Sequence, residues 1–278
     1  MKVLVTGAAG TVGREITAHL RAAGWSVRAH DRAPLDRDAA EEVAKGDLRD
    51  PEHTQTLFGG VNAVVHAAAI PAPMPDAEQE VFANNVLSAF QVLEAAGRAG
   101  VPRMVFISSL SALGFAYSPH RISPRTVPVT EEHPYAGEDA YALSKYTGEA
   151  IADTTARRWE CTVVSLRFPF LGHGDRLRTH LKNVHERPGD DRRGLWAWLD
   201  TRDAARAVES ALTAPLSGHH LINVVAPDTS ALIPTAELLA RYHPATAING
   251  PLDEFATPFS MRRSLDLLGF TPAYGWRT

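Results

Sequence analysis

A glycine-rich turn lies between the first predicted strand and the first predicted helix, and it constrains the fold more than any other stretch. Lys2–Thr6 is a short apolar run, and GAAGTVG follows it with glycines at Gly7, Gly10 and Gly13. Because glycine has no Cβ, such a turn can be tight and its backbone can approach a pyrophosphate closely. The N-terminus of the next helix offers free N–H groups to the anion. In this strand–turn–helix context the pattern predicts a dinucleotide-binding fold.

An acidic residue ends the second predicted strand. Asp31 would accept hydrogen bonds from the adenosine ribose hydroxyls and repel a 2′-phosphate, which favours NAD. Arg32 follows directly, and its guanidinium could receive that phosphate. We therefore expect NAD as the cofactor and leave NADP open.

Short β-type apolar runs alternate with longer helical patterns through the first two-thirds of the chain. This alternation predicts a doubly wound α/β fold, in which a parallel sheet carries helices on both faces. The predicted strands are residues 2–6, 25–31, 42–46, 62–66, 103–108, 161–168 and 220–225. The predicted helices are residues 11–23, 76–99, 139–159, 201–212, 234–242 and 261–268.

The pattern loosens beyond Phe168, where the remaining elements are too few for a second independent core. We expect a dinucleotide-binding core over residues 1–168 and a small C-terminal substrate lobe over residues 169–278, interleaved with the last core elements at 199–225. Residues 172–194 are polar and rich in Gly, Arg and His, so they are predicted as loop. Residues 110–138 contain four prolines, and a loop of that length is usually functional or mobile.

Composition and charge exclude several classes of protein. The 278 residues carry a formal net charge of −4 and no basic patch, so we expect no nucleic acid partner. The single cysteine, Cys161, excludes an intramolecular disulfide and fits a reducing compartment. We see neither a signal-peptide pattern nor a run of 18 apolar residues, so we expect a cytoplasmic protein without a membrane partner. None of the 12 histidines has a metal-ligand spacing with carboxylates, and no metal is expected.

Tyr141 and Lys145 lie four residues apart in DAYALSKY, which places them on one face of the predicted helix. By itself this spacing is common and carries little weight. Oxidation of an alcohol by hydride transfer requires removal of the hydroxyl proton, and a free tyrosine with a pKa of about 10 is a poor base at neutral pH. A neighbouring ammonium group and an oxidised nicotinamide would both stabilise the phenolate. The pair is therefore a candidate for proton transfer beside a nicotinamide.

These features together resemble the extended short-chain dehydrogenase/reductases, a family with a Rossmann fold that includes sugar-nucleotide epimerases and dehydratases. The resemblance covers about residues 1–215 and extends loosely beyond them. It rests on the glycine turn and on six further motifs: Asp47-Leu48, His66-Ala67-Ala68-Ala69, Asn84-Asn85-Val86, Ser108-Ser109, Tyr141-Ala-Leu-Ser-Lys145 and Leu199–Ala205. It implies an NAD(P)-dependent oxidoreductase.

The resemblance also implies roles for individual residues. Ser109, Tyr141, Lys145 and Asn85 match the catalytic positions, with Ser111 as the second choice for the serine and a candidate substrate contact. The implied cofactor contacts are Gly7, Gly10, Thr11, Val12, Gly13, Asp31, Arg32, Asp47, Leu48, His66, Ala67, Ala68, Ala69, Asn85, Tyr141, Lys145 and Phe168.

The chain departs from the family pattern around the substrate. Leu113 replaces the usual tyrosine before Gly114, and Phe168, Pro169 and Phe170 make an apolar wall where sugar-nucleotide contacts are common. A compact substrate is therefore favoured, such as a sugar, a sugar acid or a similar small polar compound. The segment GDDRRGLWAWLDTRD resembles the arginine-bearing segment of the uronate dehydrogenases. Arg192 or Arg193 would then hold a substrate carboxylate, unless DDRR is simply an exposed charge run.

Two other functions stay open from the sequence. The first is a sugar-nucleotide epimerase or dehydratase with tightly held NAD, and the second is a non-catalytic dinucleotide-sensing protein. Many relatives pair two long helices into a four-helix bundle, so a homodimer through residues 76–99 and 139–159 is expected.

Overall fold

A seven-stranded parallel sheet forms the centre of the molecule. The computed structural model describes residues 1–277. The strands of the sheet stand in the order β10-β7-β5-β4-β1-β2-β3, and every neighbouring pair is parallel. All strands, including four short ones outside this sheet, are β1 (Lys2–Thr6), β2 (Ser26–Asp31), β3 (Glu42–Lys45), β4 (Ala63–His66), β5 (Arg103–Ser109), β6 (Thr126–Val127), β7 (Thr162–Phe168), β8 (Phe170–Leu171), β9 (Trp198–Leu199), β10 (His219–Asn223) and β11 (Ala247–Ile248).

Helices cover both faces of this sheet, which confirms the predicted doubly wound fold. The helices are α1 (Thr11–Ala22), α2 (Pro51–Gln55), α3 (Glu78–Arg98), α4 (Ala140–Trp159), α5 (Gly174–Glu186), α6 (Thr201–Thr213), α7 (Thr235–Tyr242) and α8 (Arg262–Leu268). Apolar side chains of α1 and α6 pack in one core layer, and those of α3 and α4 pack in the other. All seven residues of β7 are buried, as expected for a strand covered on both faces.

The central order of the strands sets the position of the candidate site. β1 lies between β2 and β4, so the chain reverses its direction of winding across the sheet next to the glycine turn that follows β1. In open α/β sheets, ligands bind at the carboxyl ends of the strands at such a switch point. Ser109 ends β5 and Phe168 ends β7, and the two residues are register partners at the same edge.

The prediction that residues 172–194 form a loop was wrong. Residues Gly174–Glu186 form α5, and a 3-10 helix follows over Pro188–Gly194. Val184 is the one residue of α5 that is buried, because the helix touches the rest of the molecule along a narrow stripe only. The segment carries the helical spacing i, i+4, i+7 in Leu177, Leu181 and Val184, but only these three positions are apolar, and the polar residues around them led to the loop prediction.

The long proline-bearing segment also carries some regular structure. A 3-10 helix spans Leu110–Leu113, and β6 pairs with β11 from the C-terminal region. Phe115, Val127 and Val129 share an apolar cluster with Leu195 and Leu239, so this segment is anchored to the C-terminal part of the chain. The division into two units at residue 168 stays a prediction.

No helix within residues 1–277 is both long enough and apolar enough to cross a membrane.

Candidate active site

The glycine turn borders a cavity of about 340 Å³ at the carboxyl end of β1. Gly7 has a positive φ of 73°, and a Cβ on it would lie 2.6 Å from the backbone nitrogen of Ala68. The two backbone segments can therefore approach each other only when residue 7 is glycine. This cradle fits the pyrophosphate of a dinucleotide, which requires a close backbone approach at a helix N-terminus.

Asp31 lies at the wall of this cavity and is held by the backbone. One carboxylate oxygen accepts a hydrogen bond from the backbone N–H of Ala9 at 2.9 Å, and the other accepts one from Ala33 at 2.8 Å. Arg32 lines the same cavity. The backbone thus fixes the Asp31 carboxylate at the wall of this cavity, and its predicted contact with an adenosine ribose stays a prediction.

Most of the residues predicted to contact the cofactor border one of two adjoining cavities. The first cavity is lined by Gly7, Gly10, Asp31, Arg32, Asp47, Leu48, Ala67, Ala68 and Ala69. Val12, Tyr141, Lys145 and Phe168 line the second. Ala9, His30, Ala33, Gly46, Ile70, Asn84 and Ser88 also border the first cavity, and the sequence interpretation missed them.

Four predicted cofactor residues lie outside these cavity walls. Gly13 packs tightly against the backbone of Gly7, and Thr11 is exposed on the first turn of α1. The His66 ring is buried, hydrogen-bonded to the Thr6 hydroxyl at 2.8 Å and stacked on Phe106. Burial, together with the charge of Lys145, lowers the pKa of His66 to about 3, so the ring is neutral.

Asn85 supports the wall of the site from behind. Its side-chain oxygen accepts a hydrogen bond from the backbone N–H of Ile70 at 2.7 Å, and its amide nitrogen donates to the Ile70 carbonyl at 3.0 Å. The amide also donates to the Ser144 hydroxyl on α4 at 3.1 Å. The structure thus places Asn85 where it positions α4 against the segment that follows β4, and its predicted catalytic role stays a prediction.

Ser109, Tyr141 and Lys145 meet at one wall of a second cavity of about 540 Å³. Tyr141 lies in the first turn of α4, where the Asp139 carboxylate caps the helix by accepting a hydrogen bond from the N–H of Ala142 at 2.8 Å. The Lys145 ammonium donates to the carbonyl of Ile107 at 2.8 Å and lies 5.9 Å from the centre of the Tyr141 ring. β5 therefore presents both the serine and the carbonyl that holds the lysine.

Burial changes the acidity of both groups on α4. It raises the pKa of Tyr141 well above its usual value, and the hydrogen bond with Ser109 opposes part of this rise. It lowers the pKa of Lys145 to about 8, against the opposing effect of the Glu149 carboxylate. A buried phenol of this kind holds its proton at neutral pH, so deprotonation needs a further positive charge beside it.

The second cavity also contains most of the predicted substrate residues. Ser111, Phe170 and Arg193 line it, and Pro169 contributes to the predicted apolar wall. Arg192 lies elsewhere and lines a neighbouring cavity, where its guanidinium donates to the carbonyl of Gly189 at 2.6 Å. The structure therefore separates the two adjacent arginines that the sequence left as alternatives.

Several residues of this cavity come from the helix that was predicted as loop. Arg176 and His180 of α5 enclose Phe170, with the His180 ring stacked at 3.9 Å and the Arg176 guanidinium 5.0 Å from the ring centre. Asp191 lies beside His180, and burial raises its pKa to about 7. Arg176 and His180 lie four residues apart in the sequence. On a helix this spacing places both on one face, and it is the signal from which their proximity could have been predicted.

A glycine cradle at the switch point of a parallel sheet, with Ser109, Tyr141 and Lys145 at the adjoining cavity, defines a short-chain dehydrogenase/reductase. The chain belongs to the NAD-dependent epimerase/dehydratase family, whose model matches residues 3–225. This match confirms the predicted family, and with it the predicted enzyme class and the NAD cofactor that the family uses.

Individual relatives include sugar dehydrogenases. A uronate dehydrogenase of Pseudomonas putida is 30% identical over 223 residues, which cover 80% of this chain and 75% of the relative. An L-arabinose 1-dehydrogenase (NAD(P)(+)) of Haloferax volcanii is also 30% identical, over 77% of this chain and 84% of the relative. Among solved structures, a short-chain dehydrogenase/reductase superfamily protein of Agrobacterium tumefaciens with bound NAD is 26% identical, with a TM-score of 0.74 over 99% of this chain and 93% of that one.

Proposed function

We propose that the protein is an NAD-dependent dehydrogenase that oxidises a hydroxyl group of a small sugar acid or sugar. The observation that carries this proposal is that one cavity is lined by Ser109, Tyr141, Lys145 and Arg193. The first three are the groups needed to move a hydroxyl proton, and Arg193 is a cation suited to a substrate carboxylate. The similarity to a uronate dehydrogenase and a sugar dehydrogenase supports the same substrate class.

The cofactor residues proposed to hold NAD are those of the glycine cradle, Asp31 and Lys145. When bound, NAD⁺ would supply the hydride acceptor for the carbon that carries the hydroxyl, together with a positive charge in the site. Tyr141 removes the hydroxyl proton, and Ser109 holds the reacting oxygen by a hydrogen bond. Lys145 adds positive charge near the phenol from a position fixed by the Ile107 carbonyl. The alcohol becomes a carbonyl compound as NADH and a proton are formed.

Arg193 is the proposed partner of the substrate carboxylate. Its Nε lies buried without a hydrogen-bond partner among the described residues, and the residue lines the same cavity as Tyr141. A buried guanidinium nitrogen without a partner favours binding of an acceptor group. A carboxylate can accept two parallel hydrogen bonds from one guanidinium, which fixes its orientation.

The test is a panel of glucuronate, galacturonate, arabinose and glucose, followed by NADH absorbance with NAD⁺ and with NADP⁺. We expect net NADH formation with a uronate, and Arg193→Gln should lower kcat/KM for it by about 10- to 100-fold. The matched control is Arg178→Gln, because Arg178 is an exposed arginine of α5 that pairs with Asp175. Activity on neutral sugars alone would contradict the carboxylate assignment. Enzyme-retained NAD without net reduction would instead support an epimerase.

We also propose that the protein is a homodimer through α3 and α4. Four large apolar side chains on these helices are exposed by more than 40%: Leu87, Phe90, Leu143 and Tyr146. Exposed apolar groups on two adjacent helices favour an interface between copies. Analytical ultracentrifugation should find a dimer, and Phe90→Asp should shift it toward the monomer. A monomeric wild-type protein at micromolar concentration would contradict this proposal.

A further inference from the structure

A third cavity is surrounded by arginines. It lies next to the second cavity, which contains Ser109 and Tyr141 and is called the substrate cavity below. The third cavity has a volume of about 280 Å³, and Arg121, Arg192, Arg193 and Arg241 all line it. Ser123, Tyr242 and His243 are among the other residues of its wall. Within the part of the chain that the structure describes, no aspartate or glutamate contributes to this lining.

The four guanidinium groups have no carboxylate within ion-pair distance among the described residues, although Asp190 and Asp191 line the substrate cavity together with Arg193. Arginine stays protonated at any physiological pH, so this cavity carries concentrated positive charge. None of the four forms an ion pair with a carboxylate among residues 1–277. Arg192 donates to a backbone carbonyl, and Arg241 lies 5.1 Å from the centre of the Tyr242 ring. Neither contact supplies negative charge.

His243 joins two walls of the cavity by hydrogen bonds. His243 is buried, and its Nε2–H donates to the carbonyl of Arg192 at 2.8 Å. Its Nδ1 then accepts a hydrogen bond from the Ser123 hydroxyl, also at 2.8 Å. Burial lowers the pKa of His243, although the hydrogen bond to the Arg192 carbonyl opposes part of this effect, and the lower pKa favours the neutral ring that the two hydrogen bonds require. The arginines therefore project from segments that are already held together.

We propose that this arginine cavity binds a phosphate-type oxyanion. A guanidinium presents parallel N–H donors that match two oxygens of an oxyanion, and several guanidinium groups can share one tetrahedral anion. A carboxylate presents two oxygens in one plane and a single charge, whereas a phosphate presents more oxygens in a tetrahedral arrangement and more charge, so a phosphate matches four surrounding guanidinium groups better. The phosphate is either part of the sugar substrate or a separate ligand, and both sources share the same recognition chemistry.

Binding of an anion in the arginine cavity would affect the substrate cavity. Arg193 lines both cavities. An anion that binds its guanidinium in the arginine cavity therefore changes which N–H groups of Arg193 are available to the substrate. The segment that carries Arg121 and Ser123 also carries Ser111 and Tyr117 of the substrate cavity. An anion bridging Arg121, Arg192 and Arg241 would hold this segment against the C-terminal lobe.

The test is calorimetric titration of inorganic phosphate into the full-length protein saturated with NAD⁺ at constant ionic strength. NAD⁺ keeps the added phosphate away from the glycine cradle. We expect one site, with binding weakened about tenfold or more by Arg121→Gln and by Arg241→Gln. The matched control is Arg98→Gln, which removes the same charge from an exposed position at the end of α3 and should leave binding unchanged. These measurements need no turnover, so they stand independently of the proposed reaction.

A second titration, with glucose 6-phosphate in place of inorganic phosphate, distinguishes the two sources of the phosphate. Binding of glucose 6-phosphate at least about tenfold tighter than that of inorganic phosphate would support a single extended site that takes the phosphate of a phosphorylated sugar. Equal or weaker binding of glucose 6-phosphate would support a separate phosphate ligand. Absence of phosphate binding, or equal weakening by Arg98→Gln and Arg241→Gln, would overturn the proposal.

Discussion

Glu149 accepts two hydrogen bonds from the guanidinium of Arg167, at 2.8 Å from Nε and 2.7 Å from the terminal nitrogen, and both side chains are buried. The hydroxyl of Ser108 donates to the same carboxylate at 2.6 Å. Glu149 lies on α4 one turn beyond Lys145, while Arg167 lies on β7 and Ser108 on β5. The pair therefore fixes the helix that carries Tyr141 against the two strands that end at Ser109 and Phe168.

Replacement of Glu149 by glutamine should destabilise the protein by about 3 kcal/mol, because it leaves the buried Arg167 charge without its counter-charge. Urea denaturation measures this loss as a lower unfolding midpoint. The matched control is Asp153→Asn on the same helix, which removes a carboxylate that pairs with the exposed Arg157. That change should cost about 0.5 kcal/mol or less. Equal effects of the two substitutions would show that the buried pair contributes no special stability.

Replacement of Tyr141 by phenylalanine should lower kcat by about 10²- to 10⁴-fold, the usual range for loss of a general acid–base group. The affinity for NAD should change by less than about twofold, since the ring and the position of Lys145 are retained. Steady-state assays and calorimetry measure the two quantities separately.

Tyr146→Phe is the matched control for Tyr141→Phe. Tyr146 lies on the same helix, is 44% exposed and stacks on Tyr135 with ring centres 4.3 Å apart. Its loss of the hydroxyl should leave kcat unchanged. Full activity of Tyr141→Phe would remove the proposed mechanism.

The sequence was a good guide where a local pattern carried the information. The strand Lys2–Thr6 and the glycine turn after it were predicted from neighbouring residues alone, and the structure has that strand with the same bounds. Helix α5 was missed because its apolar stripe, Leu177, Leu181 and Val184, is short and lies within a polar segment rich in Gly, Arg and His. The sequence could not show whether Arg192 or Arg193 binds the substrate. The two are adjacent arginines of the same segment, and only the structure shows which side chain points into the substrate cavity. The Glu149–Arg167 pair was also beyond reach, because it depends on how α4 packs on the sheet.

Asp31→Ala should weaken NAD more than NADP, because the carboxylate favours ribose hydroxyls and opposes a 2′-phosphate. We expect about a tenfold higher Kd for NAD, and calorimetry with each cofactor measures it. Asp31 also accepts hydrogen bonds from the backbone of Ala9 and Ala33, so its loss can loosen the turn for both cofactors.

Asp31→Asn is the control for that second effect. The amide keeps one acceptor oxygen for the backbone but loses the negative charge. NAD should then bind more tightly to Asp31→Asn than to Asp31→Ala. In both variants the affinity for NADP should rise relative to the affinity for NAD. Equal losses for NAD and NADP would sink the assignment of Asp31 to the ribose.

Asp191 should make the stability of the protein fall as the pH rises. Burial raises its pKa from 3.8 to about 7, although a hydrogen bond with Ser230 opposes part of the rise. Between these pH values the folded protein holds a proton that the unfolded chain releases, so the free energy of unfolding decreases with increasing pH. Nearby His180 offers no compensating charge in this window, since burial lowers its pKa to about 4.

Asp191→Asn removes this titration because the amide is neutral at every pH. The gain in Tm of the variant over the wild type should therefore grow from pH 5 to pH 7 and level off above pH 7, where the folded carboxyl is also ionised. Thermal unfolding across this range measures it. Asp190→Asn is the matched control, because Asp190 is exposed and pairs with the exposed Arg187. A gain in Tm that is independent of pH would show that Asp191 titrates normally in the folded protein.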